Sequence, residues 1–428
     1  QKDYFKNHFR VYHGTADLYV YFVERGVSLL AAGGAFAYIL PNKWMRANYG
    51  KPLRAWLKEQ HIEEIIDFGD LPVFESATTY PCILRIGAGS PCERFDAVQV
   101  ENLDYPDLTD YVKAHAYPVN LTYLDEEGWS LADEKTQALL LKIRAAGVPL
   151  GTYVDGKIYR GILTGLNEAF VIDEATRGRL IAEDPRSAEG IKPFLAGRDV
   201  KRYQPLELSK YLIFTRRGIN IDSYPAIGRY LKQYKEKLIP RPRDWPSDKP
   251  WLGRKAGSYQ WYEVQDSIDY YLEFEKPKII VPAIVQRGSY TYDERAFYSN
   301  DKTSIIPCTD IYLLGILNSK VADFIVHLIS STKQGGYYEY KPMYVSQIPI
   351  RTIDPSDPTD VARHDRMVAL VEKMLDLNKR LAAAKAPHEK EVLAGMIDAT
   401  DRQIDRLVYE LYGLTEEEIA VVEGTHGQ

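Results

Sequence analysis

What this sequence lacks narrows it first. Only 3 of its 428 residues are cysteine, namely Cys82, Cys92 and Cys308. An odd, sparse set excludes a disulfide framework and offers no paired spacing for zinc, so a reducing, cytoplasmic setting is expected. The 8 histidines are scattered, and no HxxxH spacing accompanies them, so no metal site is expected. No run of roughly 18 apolar residues occurs, which argues against a membrane span, and the opening QKDYFKNHFR lacks the apolar core of a signal peptide. P-loop, GxSxG and GxGxxG fingerprints are also missing, and with them the usual sequence marks of nucleotide hydrolysis, serine hydrolysis and dinucleotide binding. The chain begins with Gln1 instead of methionine, and the expectation is a piece of a longer polypeptide.

An apolar content of 45% is ample for packed cores, and the length fits two or three domains. Net charge is −6, which alone speaks against nucleic acid. The distribution says otherwise. Lys201 to Lys255 holds 14 Lys and Arg against 5 Asp and Glu, a local balance of +9, whereas Arg351 to Gln428 comes to −6. One segment is suited to meet anions.

Phe36 to Ile86 is the stretch with most to say about function. An apolar run, Phe36 to Leu40, meets a basic and aromatic segment containing Asn42, Lys43, Trp44, Arg46 and Tyr49. A crossover helix is expected over Tyr49 to Gln60, then a second apolar run at Ile62, Ile65 and Ile66, a loop carrying Phe74, and a last strand at Ile83 to Ile86. Strand, helix, strand, hairpin suits the late half of a helix-covered α/β sheet, with the closing hairpin as an antiparallel edge. Upstream, Thr15 to Leu30 reads as a helix. Glycine, proline and acidic residues gather between about residues 100 and 125, where a boundary is expected. Ser130 with Asp133 reads as a capping box for a helix over Leu131 to Ala146. From Gly151 to Ile350 short strands alternate with turns, and helices are expected around Ala226 to Leu238 and Thr309 to Ile329, a mixed α+β domain. In the tail, leucines and isoleucines step at helical spacing on either side of Ala386 and Pro387, as in a helical hairpin.

The interleaving of cations and aromatics carries the chemistry. Lys201, Arg202, Arg216, Arg217, Lys235, Arg241, Arg243 and Arg254 alternate with tyrosines and with Trp245 and Trp251. Cations neutralise phosphates, and aromatics and arginine forks read bases. The alternative at Gly228 to Lys237 is a solvated helix face, where Lys alternates with apolar residues, but the segment as a whole reads as a nucleic-acid surface. Asp67 and Asp70 are candidate acids, though loop carboxylates after a strand more often cap or stay solvated. Phe74 is a core residue or, if the sheet faces an extruded base, one wall of the base's pocket.

Three blocks carry a resemblance. TADLYVYF at Thr15 to Phe22, GGAFAYILPNKWM at Gly33 to Met45 and VFESATTYPCILRI at Val73 to Ile86 resemble the late motifs of DNA adenine-N6 methyltransferases of the TaqI type, in particular the single-chain type IIG restriction-modification enzymes. Gly161 to Tyr203 resembles the opening of a TaqI-like specificity domain, and Ile404 to Glu418 the helical end of the same enzymes. The resemblance implies a partial Rossmann-like methyltransferase sheet over residues 1–115, an α+β target-recognition domain over 116–350 and a helical tail over 351–428. It also implies S-adenosylmethionine as cofactor, with Phe22 against it, double-stranded DNA as partner, and Phe74 against the extruded adenine. Asn42 and Lys43 would follow the strand on the catalytic face without an assigned role.

One departure bears on the enzymology. Adenine N6 is a weak nucleophile because its lone pair is delocalised into the ring, and the family answers with an Asn/Asp-Pro-Pro-Tyr/Phe loop. Neither that loop nor the family's Gly-rich cofactor turn occurs in these 428 residues. The expectation is a recognition fragment, inactive alone, whose partner is a missing N-terminal methyltransferase half. A non-catalytic specificity subunit serving a separate methyltransferase is the alternative.

Overall fold

The computed structural model describes residues 2–75, 79–246 and 248–424. The chain packs as two compact units. The first comprises Gln1–Gly147, Phe324–Glu339 and Thr415–Gln428, and the second Val148–Asp323 and Tyr340–Leu414.

The first unit is built on a five-stranded sheet of β1 (Ala35–Pro41), β2 (His61–Asp67), β3 (Pro81–Gly87), β4 (Arg94–Gln99) and β5 (Tyr117–Asn120), in the order β1-β3-β2-β4-β5. β3 runs antiparallel to both β1 and β2, and β2 and β4 are parallel. The last strand of the hairpin is therefore not the edge that the sequence suggests. Its alternation accounts for the difference: Cys82, Leu84 and Ile86 are buried in the core cluster with Leu53, Trp56 and Ile65, while Ile83 packs on a second cluster around Ile66, Phe68 and Val98. The backbone of β3 is paired on both sides, by β1 and by β2, which places it inside the sheet. The edges are β1, which pairs only with β3, and β5, which pairs only with β4, among the described residues.

Helices α1 (Lys2–His8), α2 (Leu18–Ser28), α3 (Lys51–Leu57), α4 (Leu108–His115) and α5 (Glu134–Ala145) accompany the sheet. α2 turns Val20, Tyr21 and Val23 inward and leaves Leu18 and Phe22 exposed. α3 is shorter than its sequence pattern because residues 48–50 form a tight 3-10 turn, with Pro52 in the first turn of the helix proper. Gly50 is required there, since a Cβ would lie 2.0 Å from the Trp44 carbonyl oxygen. The cap of α5 is Asp133 instead of Ser130: its carboxylate accepts the N–H groups of Lys135 and Thr136 at 2.9 and 3.0 Å.

The second unit contains two four-stranded sheets. One runs in the order Tyr298–Ser299, Ile191–Leu195, Lys210–Ile213, Val171–Ile172; the other runs Thr291–Asp293, Lys278–Pro282, Thr303–Pro307, Tyr159–Arg160. Phe170, Ile213, Leu231, Phe274 and Phe297 share one core. The helix expected over Thr309 to Ile329 is broken into Tyr312–Leu317 and Lys320–Ile329. Asn318 interrupts it by exchanging two 3.0 Å hydrogen bonds with the backbone of Tyr290. The helices Pro358–Ala383 and Pro387–Leu411 meet through Leu377, Leu381, Leu393 and Ile397.

Candidate nucleic-acid interface

In the first unit the ends of β1, β2 and β3 are tied at one end of the sheet. The Asn42 side-chain amide, buried after β1, donates to Asp67 Oδ1 at 2.8 Å, and the Gly69 N–H donates to the same oxygen at 3.0 Å. The Asn42 backbone N–H reaches the Tyr80 carbonyl at 2.7 Å. Asp67 is thus a buried structural acceptor, which answers its candidacy as a free acid. Arg54 fixes the turn behind this end: it is 1% exposed and donates to the backbone carbonyls of Trp44, Ala47, Glu126 and Glu127. The bonds to Trp44 and Ala47 order the Asn42–Ala47 segment, and those to Glu126 and Glu127 tie it to the stretch before α5.

Phe74 lies in the loop between β2 and β3 and is 41% exposed, so it is not a core residue. Leu71 and Val73 of the same loop do pack, against the cluster of Ile66, Phe68 and Val98. Their anchoring presents the ring that follows. Phe22 is 58% exposed on α2. Three residues before it, the Tyr19 hydroxyl shares a 2.8 Å hydrogen bond with that of Tyr49, which joins the start of α2 to the turn after β1. Beside these strand ends is a cavity of about 320 Å³ lined by Asn42, Lys43, Arg46, Tyr80, Thr332 and Lys333. Lys333 lies over the Tyr80 ring at 5.8 Å and pairs with Glu339 at 3.1 Å. Its ribbon, Thr332–Lys333 against Tyr337–Glu339, turns through Gly335 and Gly336 at φ +83° and +72°, a conformation that suits glycine.

In the second unit the basic segment divides by what each cation touches. Arg254 is 4% exposed and donates to the carbonyls of Leu238, Thr164, Glu263, Gln260 and Trp261, with its guanidinium over the Tyr259 ring. Burial lowers its pKa to about 10, which leaves it cationic at neutral pH. Arg202 donates to Asp401 and to the Asn318 carbonyl, and Asp401 also receives Arg287 at 3.3 Å. These two expected DNA contacts are corrected: both guanidinium groups hold the fold together. Arg217 is half-buried, donating to the Gln265 carbonyl at 2.7 Å and to Ser258 at 3.1 Å. Lys201, Arg216, Lys235, Arg241 and Arg243 remain exposed. None of the five forms an ion pair among the described residues, whereas Arg229 and Lys237 pair with Glu183 and Glu168.

Sequence patterning missed one concavity of this unit, a cavity of about 740 Å³ lined by Asn167, Asp173, Arg198, Lys210, Asn300 and Lys302. Its walls come from four separated segments, and no local spacing announces it. Gly197 was a possible signal, because a Cβ there would lie 2.7 Å from the Lys302 carbonyl oxygen. The described residues contain no cluster of His, Cys, Asp and Glu fit to hold a metal ion. No described helix is long and apolar enough to cross a membrane.

Comparison with known proteins matches two segments of the chain. Residues 1–74 match the Eco57I restriction-modification methylase family, and residues 192–350 match the TaqI-like C-terminal specificity domain. The chain is 23% identical to the type II methyltransferase M.PaeR7I of Pseudomonas aeruginosa, over 98% of its own length and 68% of that protein's. It is 24% identical to the type II restriction enzyme and methyltransferase RM.Eco57I of Escherichia coli, where the same 98% spans 45% of the relative. In fold it is similar to the type IIL restriction-modification enzyme MmeI, whose structure was solved in complex with DNA, with a TM-score of 0.61 at 15% identity over 95% of this chain and 51% of that one.

Proposed function

The chain couples an Eco57I-type restriction-modification methylase segment to a TaqI-like specificity domain, and from that premise we propose that it recognises a DNA target for an S-adenosylmethionine-dependent adenine-N6 methyltransferase. The observation that carries this reading is the order of the two matched segments within one chain. The methylase segment presents Phe74 beside the tied strand ends, and the specificity domain carries the exposed cations of residues 201 to 243. Lys201, Arg216, Lys235, Arg241 and Arg243 bind backbone phosphates and hold the duplex in register. Phe74 stacks on the adenine once it is turned out of the helix, a step that costs unstacking and is offset by such a pocket.

When bound, S-adenosylmethionine supplies the methyl group. Phe22 offers an apolar face for the adenosyl part, yet one exposed ring does not enclose the cofactor. The Asn-Pro-Pro-Tyr type of loop, which accepts the amino hydrogens of adenine in the family, is not among the 428 residues. The exposed apolar residues Leu18, Phe22 and Leu29, together with the free edge of β1, are the surface against which the rest of a methylase sheet would pack. The test is methyl transfer from labelled S-adenosylmethionine to duplex DNA. The 428 residues alone are expected to be inert. A polypeptide supplying the missing loop and cofactor turn should restore transfer, with N6-methyladenine as the product on nucleoside analysis. Transfer by the chain alone, or methylation of another base, overturns the reading.

A further inference from the structure

Arg46 is a buried cation that nothing in the first unit uses. It is 8% exposed, and its Nε is buried without a hydrogen-bond partner. Neither a carboxylate nor a carbonyl pairs with the guanidinium among the described residues. Arg54 next to it shows the contrast, with four backbone carbonyls around its fork. A buried charge without compensation is costly, and a glutamine or methionine would fill the same space without that cost.

Arg46 lines the cavity of about 320 Å³ at the strand ends, with Lys43 and Lys333 as further cations and Tyr80 and Thr332 as hydroxyl groups. No acidic side chain lines it. Lys333 shares its charge with Glu339, and the Asn42 amide is committed to Asp67, which leaves Arg46 and the exposed Lys43 as uncompensated donors. A planar fork beside an ammonium group and hydroxyls fits a tetrahedral oxyanion.

We propose that this cavity seats one backbone phosphodiester of the DNA strand whose base meets Phe74, with Arg46 as the deep ligand and Lys43 and Lys333 at the rim. The proposal rests on the DNA reading above. A phosphodiester is favoured over an isolated carboxylate because the cations continue from the buried fork to an exposed lysine, as a polyanion leaving the cavity would require, and because the cavity adjoins the strand end that leads to the Phe74 loop.

The experiment measures duplex binding by fluorescence anisotropy across a salt series for the full chain and for Arg46→Gln, Arg46→Lys and Lys43→Gln, with thermal melts of each. Arg46→Gln should weaken binding about tenfold or more, the loss expected for a charge-assisted hydrogen bond. It should also reduce the slope of log affinity against log salt by about 0.9, the share of one phosphate. Its Tm should stay the same or rise, since a purely structural arginine would lower it. Arg46→Lys keeps the slope. An unchanged slope for folded Arg46→Gln overturns the proposal, and so does a Tm that collapses together with binding. If the unaltered chain fails to bind duplex at low salt, the DNA reading itself fails and the phosphodiester assignment with it; every other outcome bears on Arg46 alone.

Discussion

Replacing Arg241 and Arg243 together by glutamine tests whether the basic segment works as a surface or as packing. Of the eight cations named from this segment as DNA contacts, Arg202 and Arg254 are held by Asp401 and by five backbone carbonyls, and Arg217 is half-committed to Gln265. Five are left exposed and unpaired. If each neutralises one phosphate, the surface contributes a slope of about −4.5 in log affinity against log salt, and affinity should fall roughly 500-fold between 50 and 200 mM salt. The double variant should show a slope near −2.7 and a fall of roughly 40-fold over the same range. Anisotropy titrations of a labelled duplex read both numbers directly. Arg254→Gln is the control: it should unfold at lower temperature, because five backbone carbonyls, three of them in buried hydrogen bonds, lose the guanidinium donor, while whatever protein stays folded keeps the original slope. A folded double variant with the parental slope would refute the assignment of this surface.

Other expectations concern the scaffold. The Lys278–Asp293 pair is wholly buried, with Lys278 also donating to the Phe274 carbonyl and Asp293 accepting the N–H groups of Arg295 and Phe297. Asp293→Ala should therefore cost about 3–5 kcal/mol in chemical denaturation, as for other broken buried pairs; a loss below about 1 kcal/mol would contradict that burial. Burial raises the Asp405 carboxyl from 3.8 to about 6, against the opposing hydrogen bond from the Lys320 N–H. Because its folded pKa lies above the unfolded one, its contribution to stability is full below about pH 4 and is lost as pH rises through about 6. Asp405→Asn should accordingly raise stability at pH 7.5 by up to about 3 kcal/mol and flatten the decline between pH 4 and 6. Gly161→Ala should be strongly destabilising, since its Cβ would lie 1.9 Å from the Asn300 carbonyl oxygen; a melting temperature equal to that of the parent would contradict the close approach.

The elements of the first unit were readable because their apolar runs are bounded by turns. Ala35 to Leu40 and Ile62 to Ile66 alternate or run apolar over strand lengths, and Asp17 stands where a cap belongs. The position of β3 was not readable. Ile83 and Leu84 show that both faces are covered, but which two strands flank them is decided by pairing across the sheet, and a hairpin-like spacing suggests the wrong neighbour. Asn318 broke a helix through a partner 28 residues away. The same limit applies at the sites. Phe74 could be named from its motif, and its exposure then followed from the packing of Leu71 and Val73. Arg254 and Arg202 look like any surface arginine in sequence, because the carbonyls and carboxylate that engage them come from distant segments. Arg46 and Lys333 are 287 positions apart and meet only through the fold.

Selection from a random duplex pool tests the central claim most directly. The full chain, bound at low salt, washed at rising salt and followed by sequencing of the retained DNA, should enrich one sequence that contains adenine, with enrichment growing as salt removes contacts to phosphate alone. Retained DNA of unchanged composition at every salt concentration, from protein that is folded, would contradict the account of this chain as a DNA target-recognition module.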